Sequence, residues 1–359
     1  MDAGKNLLIT GGMGFIGSNF ILQAHRQHSA NIINVDLLTD ACNPHSLDQL
    51  KNDDRYTFIR GDIRNRQLIQ EILSTYQPDA VINFAAESHV DRSILHPSGF
   101  IHTNIVGTFE LLEACKEYGQ GRSQFRFLQI STDEVYGSLG IEDLPTTEIS
   151  PYRPNSPYSA AKASADHLVR SYYQTYGLPT LITTASNTYG ARQFPEKLIP
   201  LMITNAIARK PLPIYGDGLN IRDWLYVEDH CAAIWLVLKQ GRVGETYNIG
   251  GNNQLTNLEV VTQICTLLDQ VTDKTKDEID PEFSHKNLIT FVKDRLGHDR
   301  RYALNCSKIN QELGWEPKEP FETGLFKTIQ WYRNNPQWIQ QVQTVAYQTW
   351  INQNYGNLT

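Results

Sequence analysis

Leu7-Leu8-Ile9-Thr10-Gly11-Gly12-Met13-Gly14-Phe15-Ile16-Gly17-Ser18 is the stretch that decides the fold. Residues 7–10 read as a short buried strand, and three glycines at three-residue spacing (Gly11, Gly14, Gly17) then open a helical pattern. Glycine lets the backbone turn sharply and come close to a pyrophosphate, whose charge the helix N-terminus meets. A glycine triplet alone matches many loops, and its setting makes it specific. Asp36 ends a second apolar run, nineteen positions beyond Gly17. A carboxylate there accepts hydrogen bonds from a ribose diol and repels a 2′-phosphate, so NAD is expected rather than NADP. Phe15 and Ile16 within the loop, and Thr39 just past Asp36, are counted with this cofactor site.

Outward from that loop, residues 32–35, 56–59, 80–84, 125–130 and 180–184 each read as a buried strand. Helix-length segments such as 104–118 separate them, with apolar residues three and four apart. Strand–helix alternation of this kind predicts an α/β fold, a Rossmann-like doubly wound parallel sheet covered on both faces. Ligands sit outside the carboxyl ends of such strands. Two further strand ends therefore join the cofactor site. Asp62 and Ile63 follow the third strand, where an acidic group meets the adenine amine; Ala85 and Ala86 follow the fourth, where small residues let the dinucleotide lie close.

The second half changes character, with Pro195, Pro200, Pro211 and Pro213 and the turn Gly216-Asp217-Gly218. The simplest division is a dinucleotide domain over 1–186, with 221–250 returning to it, and a smaller mixed C-terminal substrate lobe from 187–220 and 251–359. A polar tail is expected from residue 334 onward.

Composition narrows the function. In 359 residues, 40% are hydrophobic and 20% charged, the balance of a globular protein that needs no metal or disulfide staple. The net charge of −7, with no basic tract, argues against a nucleic-acid partner. The best apolar run, residues 232–238, is far below the roughly 20 residues that span a bilayer, so no membrane partner is expected. The start MDAGKNLLIT lacks the basic and apolar regions of an export signal, which predicts a cytoplasmic protein. Cys42, Cys115, Cys231, Cys265 and Cys306 form no C-x-x-C pair, so reduced thiols and no metal site are expected.

The chemistry is expected near Ser156-Pro157-Tyr158-Ser159-Ala160-Ala161-Lys162, which reads as an N-capped helix start with proline in the first position. Tyr158 and Lys162 share one face. An ammonium beside a phenol favours the phenolate, giving a base for a sugar hydroxyl while a nicotinamide takes hydride from the same carbon.

With these residues the chain resembles the extended short-chain dehydrogenase/reductases that act on nucleotide sugars. Within them it is similar, over nearly its full length, to the dTDP-glucose 4,6-dehydratases. Segments 87–93, 132–137, 193–200, 216–218, 221–224 and 297–302 carry the match. The telling piece is Thr132-Asp133-Glu134, because related epimerases have small residues where Asp133 and Glu134 stand. The resemblance implies that Glu134 removes the C5 proton, Asp133 protonates the departing C6 hydroxyl, and Thr132 bonds the C4 oxygen beside Tyr158. It implies an enzyme, a hydro-lyase using NAD, that turns dTDP-glucose into dTDP-4-keto-6-deoxyglucose by C4 oxidation, loss of water across C5 and C6, and hydride return to C6. Two carboxyls can divide acid and base work if their surroundings push their pKa values apart.

The same resemblance implies that Arg222, Arg295 and His298 face the nucleotide portion of the substrate. Ser88, Asn187, Lys197, Leu198 and Asn257 add contacts, and Thr103 lies near the nicotinamide or its ribose. Segments 104–118 and 156–176 are expected to pair with their copies in a homodimer. Met13, residues 40–42, Thr188, Ala191, Arg192 and Leu296 depart from the family pattern. Competing readings on the same scaffold are a 4-epimerase, a C6-decarboxylase and a UDP-glucose 4,6-dehydratase. A non-catalytic NAD sensor is a fourth, though it would need only the glycine loop and Asp36.

Overall fold

The computed structural model describes residues 4–39, 42–271, 282–344, 347–349 and 351. Six strands arise before residue 186: β1 (Asn6–Thr10), β2 (Asn31–Asp36), β3 (Tyr56–Arg60), β4 (Ala80–Asn83), β5 (Arg126–Thr132) and β6 (Thr180–Ala185). After them come β7 (Asn187–Tyr189), β8 (Leu212–Tyr215), β9 (Ile221–Tyr226), β10 (Thr246–Ile249), β11 (Gln254–Thr256) and β12 (Ile289–Val292). The main sheet has seven strands in the order β10-β6-β5-β4-β1-β2-β3, and every pairing in it is parallel. The predicted doubly wound α/β sheet is the fold observed.

The central strands are apolar throughout because both faces are covered. On one face Leu7, Ile9, Ile82 and Leu128 pack with helices Phe15–His28 and Val227–Gln240; on the other Leu8, Ile33, Val81 and Phe127 pack with Arg66–Tyr76, Thr108–Gly119 and Pro157–Tyr176. Strand order reverses between β1 and β4, so the crevice for a ligand opens at their carboxyl ends.

A second core gathers Tyr189, Met202, Trp224, Tyr226, Ile264, Phe321 and Tyr332. It lies under two small sheets, β11-β9-β7 and β12-β8, and helices Leu198–Ile207, Asn257–Val271 and Phe321–Asn334. Here the chain differs from the expected course. β9 pairs with β7 and β11, not with the main sheet, and Trp224 and Tyr226 belong to the second core. The return to the main sheet therefore begins at Val227, whose helix carries Val227, Ile234 and Leu238 into the first core, and is completed by β10.

Two other expectations are corrected. Residues 104–118 are not one uniform helix, since Ile101–Gly107 is wound as a π-helix and Thr108–Gly119 continues as α. The tail beyond residue 334 is not merely a polar extension. Pro336–Val342 is helical, Val342 and Tyr347 are buried, and Trp338 Nε1 donates to Ser46 Oγ at 3.4 Å.

Candidate active site

The glycine loop follows from steric need. Gly11 has φ +70°, and a Cβ there would stand 2.5 Å from the backbone nitrogen of Ala85, where β1 and β4 end side by side. A Cβ at Gly17 would stand 2.5 Å from the Gly11 carbonyl oxygen. Gly14 is the N-cap of Phe15–His28 with no side-chain cap, which leaves the first amides of that helix open to an anion. Met13 turns into the core, and its N–H donates to Asp36 Oδ2 at 2.9 Å. Asp36 Oδ1 accepts from Leu38 N at 2.8 Å, so this carboxylate ties the loop to the end of β2 while retaining lone pairs for a diol.

A cavity of about 310 Å³ runs across these strand ends. Gly11, Gly14, Phe15, Ile16, Gly17, Asp36, Thr39, Asp62, Ile63, Ala85, Ala86 and Thr103 all line it, as do Ser88, Thr132, Asp133, Glu134, Tyr158 and Lys162. Thr103 arrives on the π-helical turn, next to Asn104, whose side chain bonds both the N–H and the carbonyl of Glu87. Residues 40 and 41, part of the departing stretch near the adenosine, lie outside the described residues.

The reactive groups meet beyond β5. Thr132 ends the strand, and Asp133–Tyr136 turns at once into a 3₁₀ helix with Thr132 as its cap. Thr132 Oγ1 is 3.4 Å from Asp133 Oδ1 and accepts from Glu134 N at 3.4 Å. Opposite stands Pro157–Tyr176, started by a reciprocal Ser156–Ser159 capping box with Pro157 in the first turn. It carries Tyr158 and Lys162, both buried.

The two carboxyls differ in surroundings. Burial, then the neighbouring Glu134 charge, pushes Asp133 well above the usual carboxylate range, and its Oδ2 has no hydrogen-bond partner. Burial also raises Glu134, but Arg295, Lys197 and Arg222 pull it back toward the ionised form. Asp133 is thereby disposed to hold a proton and Glu134 to accept one.

Lys162 is not among the main influences on the Tyr158 phenol. Burial first, and the Glu134 charge second, raise it, against a lowering hydrogen bond from Thr132. The Lys162 ammonium instead donates to the Ile130 carbonyl at 2.6 Å, and burial lowers its own pKa. Its electrostatic partner is Asp166, one turn further along the helix, where burial raises the carboxyl to about 6.

A second cavity, of about 170 Å³, shares Glu134, Asn187 and Lys197 with the first and is lined further by Leu198, Arg222, Asn257, Arg295 and His298. All residues expected to grip a nucleotide sugar thus line one or the other of two adjacent cavities. Arg222 is buried over the Tyr302 ring at 4.5 Å and donates to the carbonyls of Ile221 and Asp299. Arg295 Nη1 lies 3.6 Å from Asp91 Oδ1. Burial and Arg295 push His298 down to about 4, so it offers a neutral contact and no charge. Lys197 donates to the Ser88 carbonyl at 2.7 Å.

The sequence reading missed several residues of this lining. Glu196, buried and paired with Arg92 at 2.8 Å, and Tyr302 were inside matching segments but were given no role. His230 follows β9 in the turn that starts the next helix, a placement visible only once β9 is assigned.

Residues 8–328 match the model of a family described as GDP-mannose 4,6 dehydratase. The dTDP-glucose 4,6-dehydratase of Salmonella typhimurium is 52% identical over 362 residues, covering 97% of this chain and 98% of that protein. The dTDP-glucose 4,6-dehydratase of Bacillus anthracis, solved in complex with NAD, superposes with a TM-score of 0.83 at 47% identity, covering 94% of this chain and 100% of that one. The Streptomyces venezuelae dTDP-glucose 4,6-dehydratase, also solved with NAD, gives 0.85 at 44%, covering 94% and 99%. Glycine loop, Tyr–Lys helix and adjacent carboxyl pair stand together in a chain that matches these proteins over nearly its whole length: it belongs to the dTDP-glucose 4,6-dehydratase family of nucleotide-sugar short-chain dehydrogenase/reductases.

Proposed function

We infer that the chain is a hydro-lyase that converts dTDP-glucose to dTDP-4-keto-6-deoxyglucose with NAD as resident cofactor. The observation that carries the reading is the Asp133–Glu134 pair, the first buried and the second half-buried, held beside Tyr158 at the end of β5 with unequal electrostatic surroundings. The residues fit the dinucleotide. Gly11 and Gly17 leave a cradle that a Cβ would fill, the first amides of Phe15–His28 face a pyrophosphate, and Asp36 offers lone pairs to a ribose. When bound, NAD stores the hydride removed from C4 and supplies it again at C6.

The protein's own part is proton transfer and positioning. Tyr158, as the phenolate, takes the C4 hydroxyl proton, with Thr132 bonding the same oxygen and Lys162 one turn further along the same helix. The C4 ketone makes the C5 hydrogen acidic, and Glu134, whose ionised form Arg295, Lys197 and Arg222 favour against the effect of burial, removes it. Asp133, kept protonated by burial, gives its proton to the C6 hydroxyl as water leaves. Arg222, Arg295 and Lys197 supply donors for the diphosphate, with Asn187, Asn257 and His298 as neutral contacts. The chain acts as a homodimer through the exposed faces of segments 104–118 and 156–176, where Val106, Phe109 and Tyr176 present apolar surface. No helix among the described residues is long and apolar enough to cross a membrane.

Incubation with dTDP-glucose and UDP-glucose in parallel, followed by mass analysis, tests the reading. Loss of one water from the dTDP-sugar supports it, whereas a product of unchanged mass would identify an epimerase.

A further inference from the structure

His230 is fully buried, lines the larger cavity, and has no part in the proton transfers above. It lies in the first turns of Val227–Gln240, the helix that packs on Phe15–His28. Its Nδ1 is 2.9 Å from Thr188 Oγ1, and that hydroxyl donates to the Ser186 carbonyl at 3.2 Å. A hydroxyl has one proton. With that proton directed to Ser186, Oγ1 accepts from Nδ1–H, and the opposite ring nitrogen, Nε2, carries a lone pair. Burial pushes the imidazole down to about 3, so the ring stays neutral. Nε2 is buried and has no hydrogen-bond partner among the described residues, although buried polar atoms are nearly always paired.

Strand order decides which end of a dinucleotide this atom meets. Asp36 and Asp62 stand at the ends of β2 and β3, the adenosine side, and Thr132, Tyr158 and Lys162 gather beyond β5. Thr188 lies in β7, which follows directly on β6, the neighbour of β5 on the side away from β2 and β3, and it and His230 line the same cavity as those redox groups. The nicotinamide end is the nearer. Its carboxamide NH2 can only donate, so it needs an acceptor; the ribose hydroxyls both give and take, and the Lys162 ammonium can serve them.

We propose that His230 Nε2 accepts a hydrogen bond from the carboxamide NH2 of bound NAD, and that Thr188 fixes the tautomer that makes this possible. His230 is then a cofactor-binding residue that sets the orientation of the pyridine ring. Thr188, one of the departures from the family pattern, acts through it as a positioning residue. This rests on the dinucleotide reading given above.

Binding, not turnover, tests it. The full-length chain, stripped of nucleotide, is titrated by calorimetry with NAD and with its 3-acetylpyridine analogue, in which a methyl group replaces the NH2. Wild type should prefer NAD by about tenfold, the worth of one buried hydrogen bond. In His230→Phe the preference should collapse to near one. Thr188→Val removes the acceptor for Nδ1–H and should lower the preference as well; it carries the test if the first variant does not fold. A purely structural role would weaken both dinucleotides equally. An unchanged ratio in either variant, or no preference in wild type, overturns the proposal. Failure of wild type to bind either compound would overturn the dinucleotide reading itself.

Discussion

Asp133 and Glu134 are neighbours in sequence and different acids in the fold. Burial acts on both, but three cations, Arg295, Lys197 and Arg222, oppose it at Glu134, whereas at Asp133 the adjacent Glu134 charge adds to it and, of the three, Arg222 alone opposes it. Glu134→Gln should therefore leave C4 oxidation intact and block elimination, so that enzyme-bound NADH absorbance builds up on adding dTDP-glucose while turnover falls about 10²–10⁴-fold. Tyr158→Phe should suppress that absorbance as well; unimpaired turnover in either variant would show the assignment to be wrong. A pH profile reads the electrostatics. Arg295 favours ionised Glu134, so Arg295→Met raises the pKa of the base, and the acid limb of kcat should move to higher pH. A limb that stays in place would mean that Glu134 is not the group titrating. The identity and order of these residues were readable in the sequence because Thr-Asp-Glu and Tyr-x-x-x-Lys are short local motifs. Their charge states were not. Burial and a carboxylate from another element raise Tyr158, while the Lys162 ammonium is turned toward the Ile130 carbonyl, and neither is written in the spacing of the motif.

At the scale of elements, the glycine loop was legible because its need is local: a turn at positive φ and a helix start packed against β4. Gly17→Ala tests it directly. The added Cβ would stand 2.5 Å from the Gly11 carbonyl oxygen, a backbone atom that cannot swing away. The strain should cost about 1–3 kcal/mol, read as a lower Tm, and should abolish stabilisation by added NAD; an unchanged Tm with normal NAD stabilisation would contradict the close approach. The π-helix at Ile101–Gly107 was not legible. Its residues have ordinary helical spacing, and what distinguishes the turn is Asn104 reaching across to both backbone groups of Glu87, a contact between segments. The placement of β9 escaped for the same reason, since an apolar run of six residues does not say which sheet it joins.

For the whole molecule, strand–helix alternation was enough to reach the seven-stranded sheet, but not the second core, which is assembled from segments scattered between Tyr189 and Tyr332. Residues of both cores line the two cavities, which share Glu134, Asn187 and Lys197. Assembly is a property of the same scale. Phe109→Asp places a charge on the exposed face of Thr108–Gly119 and should convert a dimer to a monomer in sedimentation velocity, with the circular dichroism unchanged. A dimer that survives the charge would move the interface elsewhere.

The most direct measurement is a single turnover of dTDP-glucose in D2O, with the product examined by mass spectrometry and NMR. Oxidation and elimination within one pocket predict loss of one water, a single deuterium at C5, and no net NADH. A product of unchanged mass, or a dehydrated product carrying no deuterium at C5, would contradict the account.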